Sequence, residues 1–165
     1  MRHASNLLII AALVLAPPAL ARSTDRNQPM DLSADRTDAM LGDNAVSTLE
    51  GNVRIRQGSL EVDADRAEVH QVGGDPNRVV LTGSPATLRQ VSDQGEPTEA
   101  TANRIVYMLV DESMMLTGNV VITQPRGTLR GETISYDINT GRLNGGNDGA
   151  RVSMRILPKS AATTD

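Results

Sequence analysis

A nine-residue stretch that occurs twice constrains the fold more than any other feature of this chain. Residues 49–57 read LEGNVRIRQ and residues 116–124 read LTGNVVITQ, so Leu49, Gly51, Asn52, Val53, Ile55 and Gln57 fall on Leu116, Gly118, Asn119, Val120, Ile122 and Gln124 without a gap. Six identities in nine positions are more than composition supplies, and they point to a repeated structural unit. A weaker version, Leu81-Thr82-Gly83 followed by Ser84-Pro85-Ala86, lies between the copies, and a degenerate one begins at Leu143-Asn144-Gly145. A second unit alternates with this glycine unit: Leu32-Ser33-Ala34-Asp35-Arg36, Val62-Asp63-Ala64-Asp65-Arg66, Ala100-Thr101-Ala102-Asn103-Arg104 and Leu129-Arg130-Gly131-Glu132-Thr133. With Asp35, Gly51, Asp65, Gly83, Asn103, Gly118, Glu132 and Gly145 as reference positions, eight short rungs succeed one another at steps of 13 to 20 residues.

Each rung alternates apolar and polar residues, the mark of a strand with one buried face. Val62 and Ala64 share a face, and Ala67 and Val69 resume it after a three-residue step. The same shift carries Ala100 and Ala102 into Ile105, Tyr107 and Leu109, and Leu129 and Gly131 into Ile134, Tyr136 and Ile138. Val53 and Ile55 continue from Leu49 in this way, as Val120 and Ile122 do from Leu116. A bend or bulge is therefore expected at Asp65-Arg66 and its counterparts, and at Gly-Asn, the residues that tolerate φ > 0 most cheaply. Stacking such cornered rungs buries an apolar channel that no single rung can bury alone. The expected fold is all-β: an open-ended twisted jelly roll or solenoid-like sleeve of about eight two-strand rungs, roughly 40 Å long at about 4.8 Å per strand. Alternation leaves open whether neighbouring strands are parallel or antiparallel. Loops are expected at 73–77, 93–97 and 139–141, where Gly, Pro, Asn and Asp cluster.

A length of 165 residues suits one modest domain. Aromatic residues make up 1% of the chain, with Tyr107 and Tyr136 and no Phe or Trp, so the interior must be aliphatic. Fourteen Gly and eight Pro argue against a helical bundle. The absence of Cys removes disulfides, thiolate catalysis and cysteine-ligated metals. Residues 1–21 read as a cleaved export signal: Arg2 and His3, an apolar run over 7–16, Pro17-Pro18, then Ala19-Leu20-Ala21 before Arg22. The run is about half the roughly 20 residues that a spanning helix needs. Without that segment the net charge becomes −5, and the single scattered cations and missing aromatic platforms exclude a nucleic-acid footprint. Residues 30–158 form the expected domain, flanked by aperiodic, flexible stretches at 22–29 and 159–165.

Catalytic constellations are weak. Asp63 with Asp65, and Asp31 with Asp35, are the spacings that could pair carboxylates as a glycan-cleaving enzyme does, but all occupy polar or corner positions of the repeat. His70 is the one histidine beyond the export signal, too little for a His-based metal site, and no Gly-x-Ser-x-Gly elbow is present. No enzyme activity, cofactor or metal is expected.

The export signal, the LTGNV-type units, the Ala-Asp-Arg unit, residues 83–87 (GSPAT) and residues 131–136 (GETISY) together resemble the OstA-like family of periplasmic lipopolysaccharide-transport proteins. The likeness spans nearly all of residues 30–158. It implies an antiparallel jelly roll in the periplasm that holds the lipid A part of lipopolysaccharide in an apolar groove. It also implies end-to-end partners: an LptC-like inner-membrane protein, the N-terminal domain of an LptD-like outer-membrane protein, and further copies joined head to tail.

On alternation alone, the inward residues Val53, Ile55, Val62, Val69, Ile105 and Tyr107, with Val120, Ile122, Leu129, Ile134 and Tyr136, are ordinary core. The resemblance gives them a second use, closing the sleeve when empty and touching acyl chains when loaded. Arg54, Arg56 and Arg104 are read as solvated outward positions, with phosphate contact at a rim as the alternative. No capping element is evident, so the first rung, near residues 31–41, and the last, near 151–157, are expected to accept neighbouring strands. A structural or adhesive sleeve without lipid cargo is the rival reading.

Overall fold

A computed structural model describes residues 25, 27–146 and 150–158. The expected export signal and C-terminal tail lie outside them. Ten strands follow in order: β1 (Asp31–Ser33), β2 (Arg36–Asp38), β3 (Val46–Gln57), β4 (Leu60–Val72), β5 (Asp75–Val91), β6 (Pro97–Met108), β7 (Ser113–Gln124), β8 (Gly127–Asp137), β9 (Leu143–Gly145) and β10 (Ser153–Ile156). All pairings are antiparallel and join one sheet. The eight rungs are present. The six middle ones are single long strands, while the first is split into β1 and β2 and the last into β9 and β10.

Each long strand is bent near its reference residue, and the ladder breaks there. Register shifts fall between Glu50 and Val53, Asp63 and Arg66, Thr82 and Ala86, Thr101 and Arg104, and Thr117 and Val120. Both copies of Gly-Asn adopt the expected left-handed backbone, with φ of 77° and 47° at Gly51 and Asn52 and 84° and 52° at Gly118 and Asn119. Space demands glycine as well: a Cβ on Gly51 would meet Asp35 Oδ2 at 2.6 Å, and one on Gly118 would meet Asn103 Nδ2 at 2.8 Å. Asp35 ties its corner down through its backbone N–H to the Gly51 carbonyl (2.8 Å), while its carboxylate accepts from Asn52 Nδ2 (2.8 Å). The corner of β5 is built differently, from Gly83-Ser84-Pro85 with a cis Ser84-Pro85 peptide.

Bending every strand at one level doubles the sheet over into two walls. Wall one contains β1, residues 53–57, 60–64, 86–91, 97–102, 120–124 and 127–131, and β10; wall two contains β2, residues 46–50, 66–72, 75–82, 104–108, 113–117 and 133–137, and β9. Inward residues of both walls form one hydrophobic cluster. The turns lie at the far side from the corners, along a rim. One is tighter than expected: β5 starts at Asp75, so the 73–77 loop shrinks to Gly73-Gly74, and Pro76 pairs with Gln71 as strand, while the other two expected loops fall at 92–96 and 138–142. Gly58-Ser59 makes a further two-residue turn, with Gly58 at φ 58°. In the stretch expected to be flexible before the domain, the Asp25 carboxylate accepts from Ser59 N (3.0 Å) and Ser59 Oγ (2.5 Å).

Candidate functional site

The space between the walls is where the inward residues meet. Ten of the eleven expected lining residues are buried: Val53, Ile55, Val62, Val120, Ile122 and Leu129 on wall one, and Ile105, Tyr107, Ile134 and Tyr136 on wall two. Val69 is partly buried and packs against the same cluster. Ile105 and Ile134 have no exposed surface, so in this state the chain's own side chains close the sleeve. Leu49, Leu81, Leu88, Met114 and Leu116 belong to the same interior. Leu49 and Leu116 open the repeated unit and Leu81 opens its weaker copy, so all three are legible there, whereas the unusual corner of β5 masks the alternation that would identify Leu88. Small residues, Ala64, Ala86, Ala100 and Ala102, line wall one near the corners, where the walls converge.

Two recesses open from this interior. Beside the last rung, a cavity of about 190 Å³ is bounded by Ile122, Leu129, Leu143, Met154 and Ile156 together with Gln124, Arg126, Thr128 and Arg155. Most of the surface that it exposes is apolar, and Met154 and Ile156 on β10 are exposed, at 65% and 71%. A second cavity, about 270 Å³, lies at the rim between the 92–96 turn of wall one and the 138–141 stretch of wall two, with Gln90, Thr98 and Tyr136 among its boundaries. This one places the two rims next to each other in space.

Polar side chains cross that rim. Tyr107 donates its hydroxyl to Gln57 Oε1 (3.3 Å), and Tyr136 donates to Gln90 Oε1 (3.2 Å). Both bonds run from wall two to wall one, and both span three strands, β6 to β3 and β8 to β5. Gln124 Nε2 donates to Thr98 Oγ1 (3.2 Å) along wall one. Burial, and then the neighbouring Asp137 carboxylate, push the Tyr136 phenol above its ordinary value of 10.0. No sequence pattern signals these pairs, whose members are 50 and 46 residues apart.

The other polar candidates lie outside the groove. Arg54 Nε donates to Asp63 Oδ1 (2.7 Å) and stands 3.5 Å from Glu61, and Arg56 pairs with Glu61 at 3.1 Å. Hydrogen bonding to Asp63 raises the Arg54 guanidinium above its ordinary value, and the charge of Asp63 adds to this. Arg104 is exposed. These are outward strand positions, with side chains 49% and 58% exposed at Arg54 and Arg56. Asp63 is engaged by Arg54 and Asp35 by Asn52, while Asp31 and Asp65 are exposed, so neither carboxylate pair assembles a site. His70 lies 3.3 Å from Arg78 Nη2 through Nδ1 and 3.6 Å from Glu68 through Nε2. Among the described residues no group of three or more His, Cys, Asp or Glu could hold a metal ion.

Comparison with known proteins places this geometry. Residues 31–142 match the family model described as LptA/(LptD N-terminal domain) LPS transport protein. The chain is 32% identical over 157 residues to the lipopolysaccharide export system protein LptA of Escherichia coli K12, covering 93% of this chain and 84% of that protein. It is 31% identical over 176 residues to the lipopolysaccharide export system protein LptH of Pseudomonas aeruginosa, covering 98% and 99%. The crystal structure of LptH, the LptA-homologous periplasmic component of the lipopolysaccharide transport device of Pseudomonas aeruginosa, superposes with a TM-score of 0.74 at 24% identity, over 82% of this chain and 99% of that one. That superposition shows the shared fold.

Proposed function

Because this chain belongs to the LptA/LptD N-terminal domain family of lipopolysaccharide transport proteins, we propose that it is a periplasmic carrier that holds the lipid A part of lipopolysaccharide between its walls and helps pass it from inner to outer membrane. The observation that carries this reading is the single aliphatic cluster running between the two walls across all six long strands, with a cavity of mainly apolar surface opening beside the last rung. Moving acyl chains through water is the physical problem. Each exposed CH₂ costs about 0.8 kcal/mol, so one chain of some twelve carbons costs on the order of 10 kcal/mol. A groove lined by Val, Ile, Leu and Met, with no Phe or Trp, accepts chains without one fixed packing geometry. The acidic balance of the chain, −4 overall, gives no general attraction to anionic lipid, so affinity rests on the chains. The protein acts by binding, without catalysis, cofactor or metal.

The ends serve the same task. β1 with β2 on one side and β9 with β10 on the other terminate the sheet, and their residues are exposed except for the partly buried Leu143 of β9. Unpaired edge strands accept further strands. On this reading an LptC-like inner-membrane protein, the N-terminal domain of an LptD-like outer-membrane protein and other copies of this chain, head to tail, extend both walls and keep the groove continuous.

The test is a photo-crosslinking amino acid placed at inward Val62, Ile122 or Ile134 and at outward Asp63 or Thr123, in cells making lipopolysaccharide. Adducts confined to the inward set support carriage. Equal labelling of both sets, or none, returns the sleeve to a purely structural or adhesive role.

A further inference from the structure

The repeated unit ends in a residue that lipid carriage by an apolar groove does not use: Gln57 in one copy and Gln124 in the other. Both point inward, at the last inward position of their wall-one strand before the rim, and Gln90 and Thr98 hold the corresponding places on β5 and β6. Thr98 is 8% exposed, the one polar residue that is buried among the described residues. Neighbouring outward positions carry charge, Arg56, Arg89 and Glu99, while the inward row carries none. Facing that row from wall two are the hydroxyls of the chain's only aromatic residues, Tyr107 and Tyr136.

An uncharged belt has a definite chemical match. Amide side chains and phenol hydroxyls each both donate and accept. The row itself offers a charged headgroup no counter-charge, although Arg126 and Arg155 line the cavity at Gln124 and the carboxylates of Asp25, Asp93 and Glu96 line the one at Gln90, Thr98 and Tyr136; a neutral carbonyl or hydroxyl needs only one good hydrogen bond to enter at either place. A glycolipid whose chains fill the aliphatic interior presents just such groups at the mouth, because its ester and amide linkages join chain to sugar.

Resting on the lipid-carriage reading, we propose that Gln57, Gln90, Thr98, Gln124, Tyr107 and Tyr136 form the recognition site for the acyl-linkage region of the cargo. The Tyr107–Gln57 and Tyr136–Gln90 bonds between the walls, with the Gln124–Thr98 bond along wall one, are the empty state of that site, held until a linkage carbonyl or hydroxyl replaces one partner. The belt thus selects acylated sugar over bare hydrocarbon, since hydrocarbon must break the clasps and returns no hydrogen bond.

The experiment compares binding of lipid A and of a pyrene-labelled alkane by the purified protein and by the double variant Tyr107→Phe/Tyr136→Phe. Losing the hydroxyls removes the clasp for both ligands but a bond only for lipid A, so the alkane binds more tightly. The preference for lipid A over alkane then falls about fivefold, from the worth of neutral hydrogen bonds. Gln57→Leu/Gln90→Leu tests the same belt from the other wall and shifts the ratio the same way, and thermal melting confirms that each variant is folded. Affinities that move together with an unchanged ratio, or that do not move, overturn the recognition site. Wild-type protein that takes the alkane but not lipid A overturns it while leaving the apolar groove in place. Wild-type protein that takes neither overturns the carriage reading as well.

Discussion

At the corner, Gly51 and Gly118 hold the two walls together through covalent backbone in a left-handed conformation with no room for a Cβ. At the rim, the walls meet through side-chain hydrogen bonds from Tyr107 and Tyr136, each about 3.2 to 3.3 Å long. The first kind of joint cannot open without unfolding several strands, while the second exchanges one partner for another at little net cost. A sheet built this way can yield on one side only, and the register shifts that create the corner also decide which side that is.

Three substitutions grade this contrast, and stability in urea checks each. Ile105→Ala, at the first inward position past the corner of β6 and on a residue with no exposed surface, is expected to cost the most, about 3 kcal/mol, because the rigid corner prevents the walls from collapsing onto the cavity. Gly118→Ala is expected to cost about 2 kcal/mol, combining the left-handed penalty with the close approach of Asn103. A cost near zero there would mean that the corner is as adaptable as the rim. Tyr136→Phe is the mildest, at about 1 kcal/mol near neutral pH for the bond to Gln90. It also changes the alkaline limb. Because the folded phenol sits above its ordinary 10.0, the folded state holds the proton more tightly. The wild-type stability is therefore whole below pH 10 and declines as pH rises through the raised value. The Phe variant lacks that decline, so parallel alkaline curves for the two proteins would show that the rim is solvated rather than clasped.

The corners and the inward set could be read from the chain because both follow from local rules. Gly-Asn marks where φ turns positive, and the three-residue step in the apolar pattern marks where the strand must change direction. Local rules also explain the misjudged places. Pro76 suggested a loop, but it lies one residue inside β5 at an irregularity of the ladder, where its missing N–H is tolerated. Gly58-Ser59 reverses the chain within two residues, too short a span to interrupt the polarity pattern on either side. The clasps were illegible for a different reason. Their partners come from strands three apart, and a Gln at the end of a strand pattern looks the same whether it faces water or an opposing tyrosine.

That three-strand stagger has a mechanical meaning. Tyr107 on β6 and Tyr136 on β8 are two strands apart, roughly 10 Å along the sleeve. The closure is therefore laced rather than hinged like a lid: a guest advancing along the axis undoes one eyelet at a time, and each can be refastened behind it before the next is reached.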